Sequence, residues 1–228
     1  MKIVVSTAKT QHPTIADRVG ELQQGSAGQL PGTVLAAFRA EQAGLQAAGV
    51  PVGVAAPGDP MPDAQLLDVH GSPTTLAQAA AGRRAVVVLY RGAWCPYCNL
   101  TLRAYQEDLV PRLEQRGIPL VAISPQKPDG SLSMQEKNEL SFTVLSDPGN
   151  QLATALGVLT APSEDGHAAQ RALGFEVAEA NADGTDGVPM PTVVIVDGAG
   201  IIRWIDVHPD YTTRTEVAEI VDALSALV

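Results

Sequence analysis

The 228-residue chain contains two cysteines, and they stand three apart in Cys95-Pro96-Tyr97-Cys98. Three residues is close to one helical turn, so on a helix the second sulfur returns to within bonding distance of the first. An apolar, β-branched run, Ala85-Val86-Val87-Val88-Leu89-Tyr90, precedes the motif. That run predicts a strand buried on both faces, with a helix starting at the cysteines. A thiol at a helix N-terminus faces unpaired backbone N–H groups and the positive end of the dipole. Both favour the thiolate and lower its pKa from the free value of about 8.5. The thiolate is the nucleophile in disulfide exchange and in attack on a peroxide. One cysteine can attack and the other resolve the adduct; the spacing leaves their order open.

Other uses of the motif fit less well. A structural zinc site needs four ligands, and His12, His70, His167 and His208 show no ligand spacing, so no metal is expected. A structural disulfide closing so small a loop contributes roughly 2 kcal/mol at most. A secreted disulfide scaffold spreads several cysteines along its chain. No organic cofactor is implied, because the electrons pass through sulfur.

The elements that must position the motif follow from periodicity. Thr14 can cap a first helix carrying Ile15, Val19 and Leu22, and a second is predicted over 33–48. Pro51, Pro57, Gly58, Pro60 and Pro62 then form a linker. This suggests a helical arm and linker over 1–57 and a main domain over 58–228. The arm either packs on the main domain or serves a homodimer. The helix after the cysteines runs to about Gln115, and Pro111 should kink it. Strand 119–124, helix 131–138, strand 143–145 and helix 150–156 follow, the last with Pro148 at its start. Segment 157–187 reads as an insertion with a helix near 168–173. The chain closes with strands 192–197 and 201–207 around a Gly198-Ala199-Gly200 turn, then a helix over 213–227. Parallel βαβ units ending in a hairpin predict an α/β fold, with helices flanking a mixed central sheet.

Composition narrows the partners. Hydrophobic residues make up 45%, close to the globular average, and charged residues 18%, on the low side, which fits an alanine-rich globular protein. The formal net charge of −10 argues against nucleic acid, whose phosphates need a basic face. No stretch approaches the roughly 18 apolar residues of a membrane span. The short apolar start at residues 1–7 lacks the length and cleavage site of a signal peptide. These features predict a cytoplasmic location.

Leu89-Tyr90-Arg91-Gly92-Ala93-Trp94-Cys95-Pro96-Tyr97-Cys98-Asn99-Leu100 resembles the active-site segment of the peroxiredoxin-like alkyl hydroperoxide reductase/thiol-specific antioxidant (AhpC/TSA) family. Val121–Gln126, Leu145–Asn150 and Pro189-Met190-Pro191-Thr192 extend the match. The resemblance implies a thioredoxin-like fold and a thiol-dependent peroxidase. In that family's register Cys98 falls on the attacking cysteine and Cys95 on a threonine. Arg91 falls on a proline, and Pro191 on a downstream arginine that polarises the peroxide. Loss of two hydrogen-bond donors should weaken peroxide activation. Arg91 either replaces the missing charge or is a surface side chain.

In the thioredoxin register, by contrast, Trp94-Cys95 matches the exposed nucleophile and Cys98 the resolver. Leu89 then stands where thioredoxin keeps a buried acid, and Pro96-Tyr97 is the glutaredoxin dipeptide. Thioredoxin-like folds carry a cis-proline facing the cysteines, a place that falls to Pro191, with the Met190 backbone free to pair with an extended substrate. A trans-proline opening a strand is the alternative. Trp94 and Tyr97 are expected to wall the site. The substrate implied is a hydroperoxide, or alternatively a protein disulfide, with a thioredoxin-like protein or glutathione as electron donor. A redox-sensing binding module built on the arm is the non-enzymatic alternative.

Overall fold

The computed structural model describes residues 12–26 and 28–227, so the apolar start at 1–7 lies outside the described residues. The described chain opens with α1 (Ile15–Ser26) and α2 (Gly32–Ala48). Thr14 caps α1 as expected, its Oγ1 accepting from the Asp17 N–H at 3.0 Å. After the linker come β1 (Leu66–Leu67), β2 (Pro73–Thr74) and α3 (Leu76–Ala80). These three short elements escape a periodicity reading. A capping box between Thr75 and Gln78 marks the start of α3.

β3 (Ala85–Leu89) leads into α4 (Pro96–Ala104), a π-helical turn at Tyr105–Leu109, and α5 (Val110–Glu114). The predicted disturbance at Pro111 takes the form of that π turn. A proline ring presses on the carbonyl four residues back, and widening the preceding turn relieves the clash. Then follow β4 (Leu120–Ser124), α6 (Pro128–Lys137), β5 (Thr143–Ser146) and α7 (Gln151–Ala155). Pro148 is not the first residue of α7. The first residue is Gln151 and Asn150 is the N-cap in a left-handed conformation, while the Asp147 carboxylate accepts from the Gln151 and Leu152 N–H groups at 3.0 and 2.9 Å.

Segment 157–187 carries β6 (Leu159–Thr160), α8 (Glu164–Ala172) and α9 (Val177–Ala180). The last elements are β7 (Val188–Pro189), β8 (Thr192–Val196), β9 (Ile202–Val207) and α10 (Val217–Ala226). The final helix starts later than its apolar pattern suggests; Tyr105 Oη donates to the Thr215 carbonyl at 2.7 Å and holds the preceding loop against the π turn.

One seven-stranded sheet orders these strands β2-β1-β5-β4-β3-β8-β9. β3, β4 and β5 run parallel, whereas β8 joins β3 antiparallel and pairs with β9 as the predicted hairpin. Alternation along β3 divides the core. Val86, Val88 and Tyr90 pack with α1, α4, α5 and α10, and both cysteines belong to this layer. Ala85, Val87 and Leu89 pack on the other side of the sheet with α3 and α7. All five residues of β3 are buried, so each larger one contributes roughly 1.5–3 kcal/mol.

The arm lies on this core. Ile15 and Val19 enter the cysteine layer, and Arg18 pairs with Glu107 at 2.8 Å and Asp108 at 3.5 Å on the π turn. Glu216 accepts from the Ile15 and Ala16 N–H groups, tying α1 to the start of α10. No described helix is long and apolar enough to cross a membrane.

Candidate active site

Cys95 is the N-cap of α4 and Cys98 lies in its first turn, both 1% exposed. The N–H groups of Cys98 and Asn99 donate to the Cys95 carbonyl at 3.1 and 3.2 Å. Three side chains hold the loop before the helix. Gln126 Oε1 accepts from the Ala93 N–H. Asn99 Nδ2 donates to the carbonyls of Ala93 and Cys95 at 2.7 and 2.9 Å. Asn138 donates in turn to Asn99 Oδ1 at 2.9 Å. Gly92 has φ +153°, and a Cβ there would collide with the Trp94 indole and the Gln126 amide.

Arg214, in the loop between β9 and α10, supplies charge that the sequence reading missed. Its guanidinium donates to the carbonyls of Tyr211 and Thr213, and Nη2 approaches Cys98 Sγ at 3.5 Å. Arg91 is buried at 5% exposure, which corrects the surface reading. Its Cζ lies 3.9 Å from the centre of the Tyr211 ring and 5.0 Å from that of Trp94. Tyr211 is fixed from the arm, because its hydroxyl donates to buried Glu41 on α2 at 2.7 Å. Arg214 and Tyr211 lie 116 and 113 positions after Cys98, and Glu41 lies 57 before it, so no local pattern marks them as partners.

These surroundings separate the two thiols. Burial is the largest influence on Cys98 and opposes its ionisation. The Cys95 thiol as donor, the Arg214 charge, the Arg91 backbone N–H and the Arg91 charge together outweigh it and bring the pKa down to about 5. Burial and the negative sulfur of Cys98 push Cys95 well up. These surroundings favour the thiolate at Cys98, beside Arg214, over Cys95. Arg214 thus places a guanidinium beside Cys98, where Pro191 offers none.

The other expected site residues divide. Trp94 stacks on Phe175 with ring centres 4.9 Å apart, Tyr97 meets Tyr211 at 6.3 Å, and Pro96 is the first residue of α4. Pro191 borders a small cavity of about 10 Å³ with Cys98, His208 and Arg214, close to the space of one water. Its peptide bond is trans, since no cis bond occurs among the described residues, and this corrects the expected cis-proline. Pro191 immediately precedes β8, where its missing N–H breaks no ladder bond, and its carbonyl accepts from the His208 N–H at 2.9 Å. Met190 packs in the opposite layer, and its N–H already donates to the Val158 carbonyl at 2.8 Å. It is not free to pair with an extended substrate, which corrects that expectation too. Leu89 also packs in the opposite layer.

A larger chamber of about 710 Å³ lies on the other side of the motif. Leu22 of α1, Leu35 and Phe38 of α2 and Phe175 line it together with Trp94, Cys95 and Tyr97. Cys98 does not line it.

Comparison with known proteins agrees with this architecture. The AhpC/TSA family model matches residues 57–205. The peroxiredoxin Bcp of Escherichia coli is 31% identical over 101 residues, covering 44% of this chain and 64% of that protein. The chain thus spans less than two thirds of the curated relatives it matches. Among solved structures, peroxidoxin BcpB of Mycobacterium tuberculosis superposes with a TM-score of 0.55 at 18% identity, over 75% of this chain and 95% of that one. Reduced Prx3 of Vibrio vulnificus in complex with H2O2 gives 0.60 at 18% identity, over 75% and 99%. At such identities the superpositions show the fold, which is thioredoxin-like, while the family model covers most of the chain. The chain belongs to the AhpC/TSA family.

Proposed function

We propose that this chain is a thiol-dependent peroxidase in which Cys98 attacks and Cys95 resolves. The observation that carries the reading is the Arg214 guanidinium 3.5 Å from the buried Cys98 Sγ, with Arg91 and the Cys95 thiol also favouring its thiolate. The Cys98 thiolate attacks the terminal oxygen of ROOH. The O–O bond breaks, Cys98 becomes a sulfenic acid, and the alkoxide leaves as ROH after taking a proton from solvent. Cys95 then attacks the sulfenic sulfur, forming the Cys95–Cys98 disulfide and expelling water. Two external thiols, from a thioredoxin-like protein or glutathione, return the pair to the dithiol and leave oxidised as their own disulfide. A reducing cytoplasm supplies such donors.

The guanidinium of Arg214 stabilises negative charge where the peroxide oxygens would pass, the role that hydrogen-bond donors play in a preorganised site. Protein disulfide reduction is less well supported, because the Met190 N–H is already paired. The test mixes reduced wild type, Cys95→Ser and Cys98→Ser with hydrogen peroxide, an organic hydroperoxide and a protein disulfide. Rapid peroxide consumption that survives one turnover in Cys95→Ser and is lost in Cys98→Ser supports the proposal. Peroxide consumption that depends on Cys95 while Cys98→Ser stays active overturns it.

A further inference from the structure

The two sulfurs border different spaces. Cys98 borders the water-sized cavity with Arg214, and Cys95 borders the 710 Å³ chamber. The chamber's roof comes from α1 and α2, which precede the family-matched stretch. Its volume falls in the range of small-molecule sites. Its polar lining includes Gln23, Ser26, Arg39, Gln42, Arg91 and Gln170, with no acidic side chain among the described residues, in a chain whose net charge is −10. Gln170 is 6% exposed and its Oε1 has no hydrogen-bond partner, so a buried acceptor awaits a donor.

We infer that the chamber admits a low-molecular-weight anionic thiol with an N–H donor, such as a short peptide thiol, and directs it to Cys95. This rests on the proposed Cys95–Cys98 disulfide cycle. The incoming thiolate forms a bond to Cys95 Sγ as the Cys95–Cys98 bond breaks, and Cys98 departs with the electron pair as a thiolate. Its low proton affinity makes it the better leaving group of the two. A second thiolate attacks the sulfur of the first thiol, forming the small-molecule disulfide and releasing Cys95, which takes a proton from solvent. Arg39 and Arg91 offset the negative charge brought in, and Gln170 accepts from the ligand's N–H. A small thiol has to displace only wall side chains such as Trp94 and Tyr97. A folded donor protein has to displace α1 and α2.

The test measures reduction of the disulfide form by stopped-flow tryptophan fluorescence. The disulfide is made with hydrogen peroxide and, separately, with diamide, so that failure of the peroxide step alone counts against the proposed peroxidase and leaves this inference readable. The reductants are glutathione, 3-mercaptopropionate, 2-mercaptoethanol, cysteamine and thioredoxin, with rates expressed per thiolate. The anionic thiols are expected to outrun cysteamine by roughly fivefold or more, a factor that Arg39→Gln should largely remove. Leu35→Trp, which fills the chamber, should slow glutathione at least tenfold more than it slows peroxide oxidation. Equal rates across the charge series, or faster reduction by thioredoxin than by glutathione at equal concentration, overturn the inference. The charge series on wild type stands even where a variant fails to fold.

Discussion

Replacing Arg214 with Leu removes a guanidinium 3.5 Å from Cys98 Sγ while keeping an apolar stem in the loop. At an effective dielectric of about 20, a unit pair at that distance interacts by roughly 4–5 kcal/mol, an upper bound of about 3 pKa units. Arg91 and the Cys95 thiol remain, so a rise of about 2 units from a starting value of about 5 is expected. The sign follows from the chemistry: the thiolate is the reactive form, so peroxide reaction rises with pH through the Cys98 pKa and then levels off. At pH 6 wild type is mostly ionised, whereas the variant retains roughly a tenth of that thiolate population. Near pH 8.5 the difference from ionisation nearly vanishes. Thiolate absorbance at 240 nm, followed from pH 4 to 10 alongside single-turnover peroxide reduction, reads both effects. Cys98→Ser removes the low-pH titration and identifies its source. A midpoint that stays near 5 in Arg214→Leu, or that moves down, refutes the assignment of Arg214 as the charge that poises Cys98.

Three further outcomes test other parts of the site. Cys95→Ser should still present a donor to Cys98 and complete one peroxide turnover, but mass spectrometry should find a sulfenic acid or its adducts in place of the intramolecular disulfide. Gly92→Ala forces a Cβ into the Trp94 and Gln126 side chains at φ +153°, and urea denaturation should show a loss of about 1–3 kcal/mol with slowed peroxide reduction. Tyr105→Phe deletes the buried hydroxyl that donates to the Thr215 carbonyl, which should cost about 1–2 kcal/mol and loosen the loop carrying Arg214, read as a higher Cys98 pKa.

Local chemistry was legible in the chain, and so was the frame that carries it. The β-branched run before Cys95 allows little but a buried strand, and its alternation sends Val86, Val88 and Tyr90 to the layer that holds the cysteines. Thr14, Pro111 and the glycine turn before β9 act through nearest neighbours, so their effects could be read from a few residues at a time. The short elements β1, β2 and α3 lack enough residues for a period to show.

The different surroundings of the two thiols lay outside such a reading. A CxxC presents two similar sulfurs, and their difference comes from a guanidinium that arrives from the loop after β9 and from a second one clamped by Tyr211. Electrostatics and burial act through space, so a lone arginine in a polar loop carries no sign of the sulfur it will meet. The same holds for Glu41 on α2 and for the separation of a water-sized cavity beside Cys98 from a chamber beside Cys95. Spacing along the chain specified a dithiol at the start of a helix. Packing across the end of the sheet set a guanidinium beside Cys98 and left Cys95 facing the chamber.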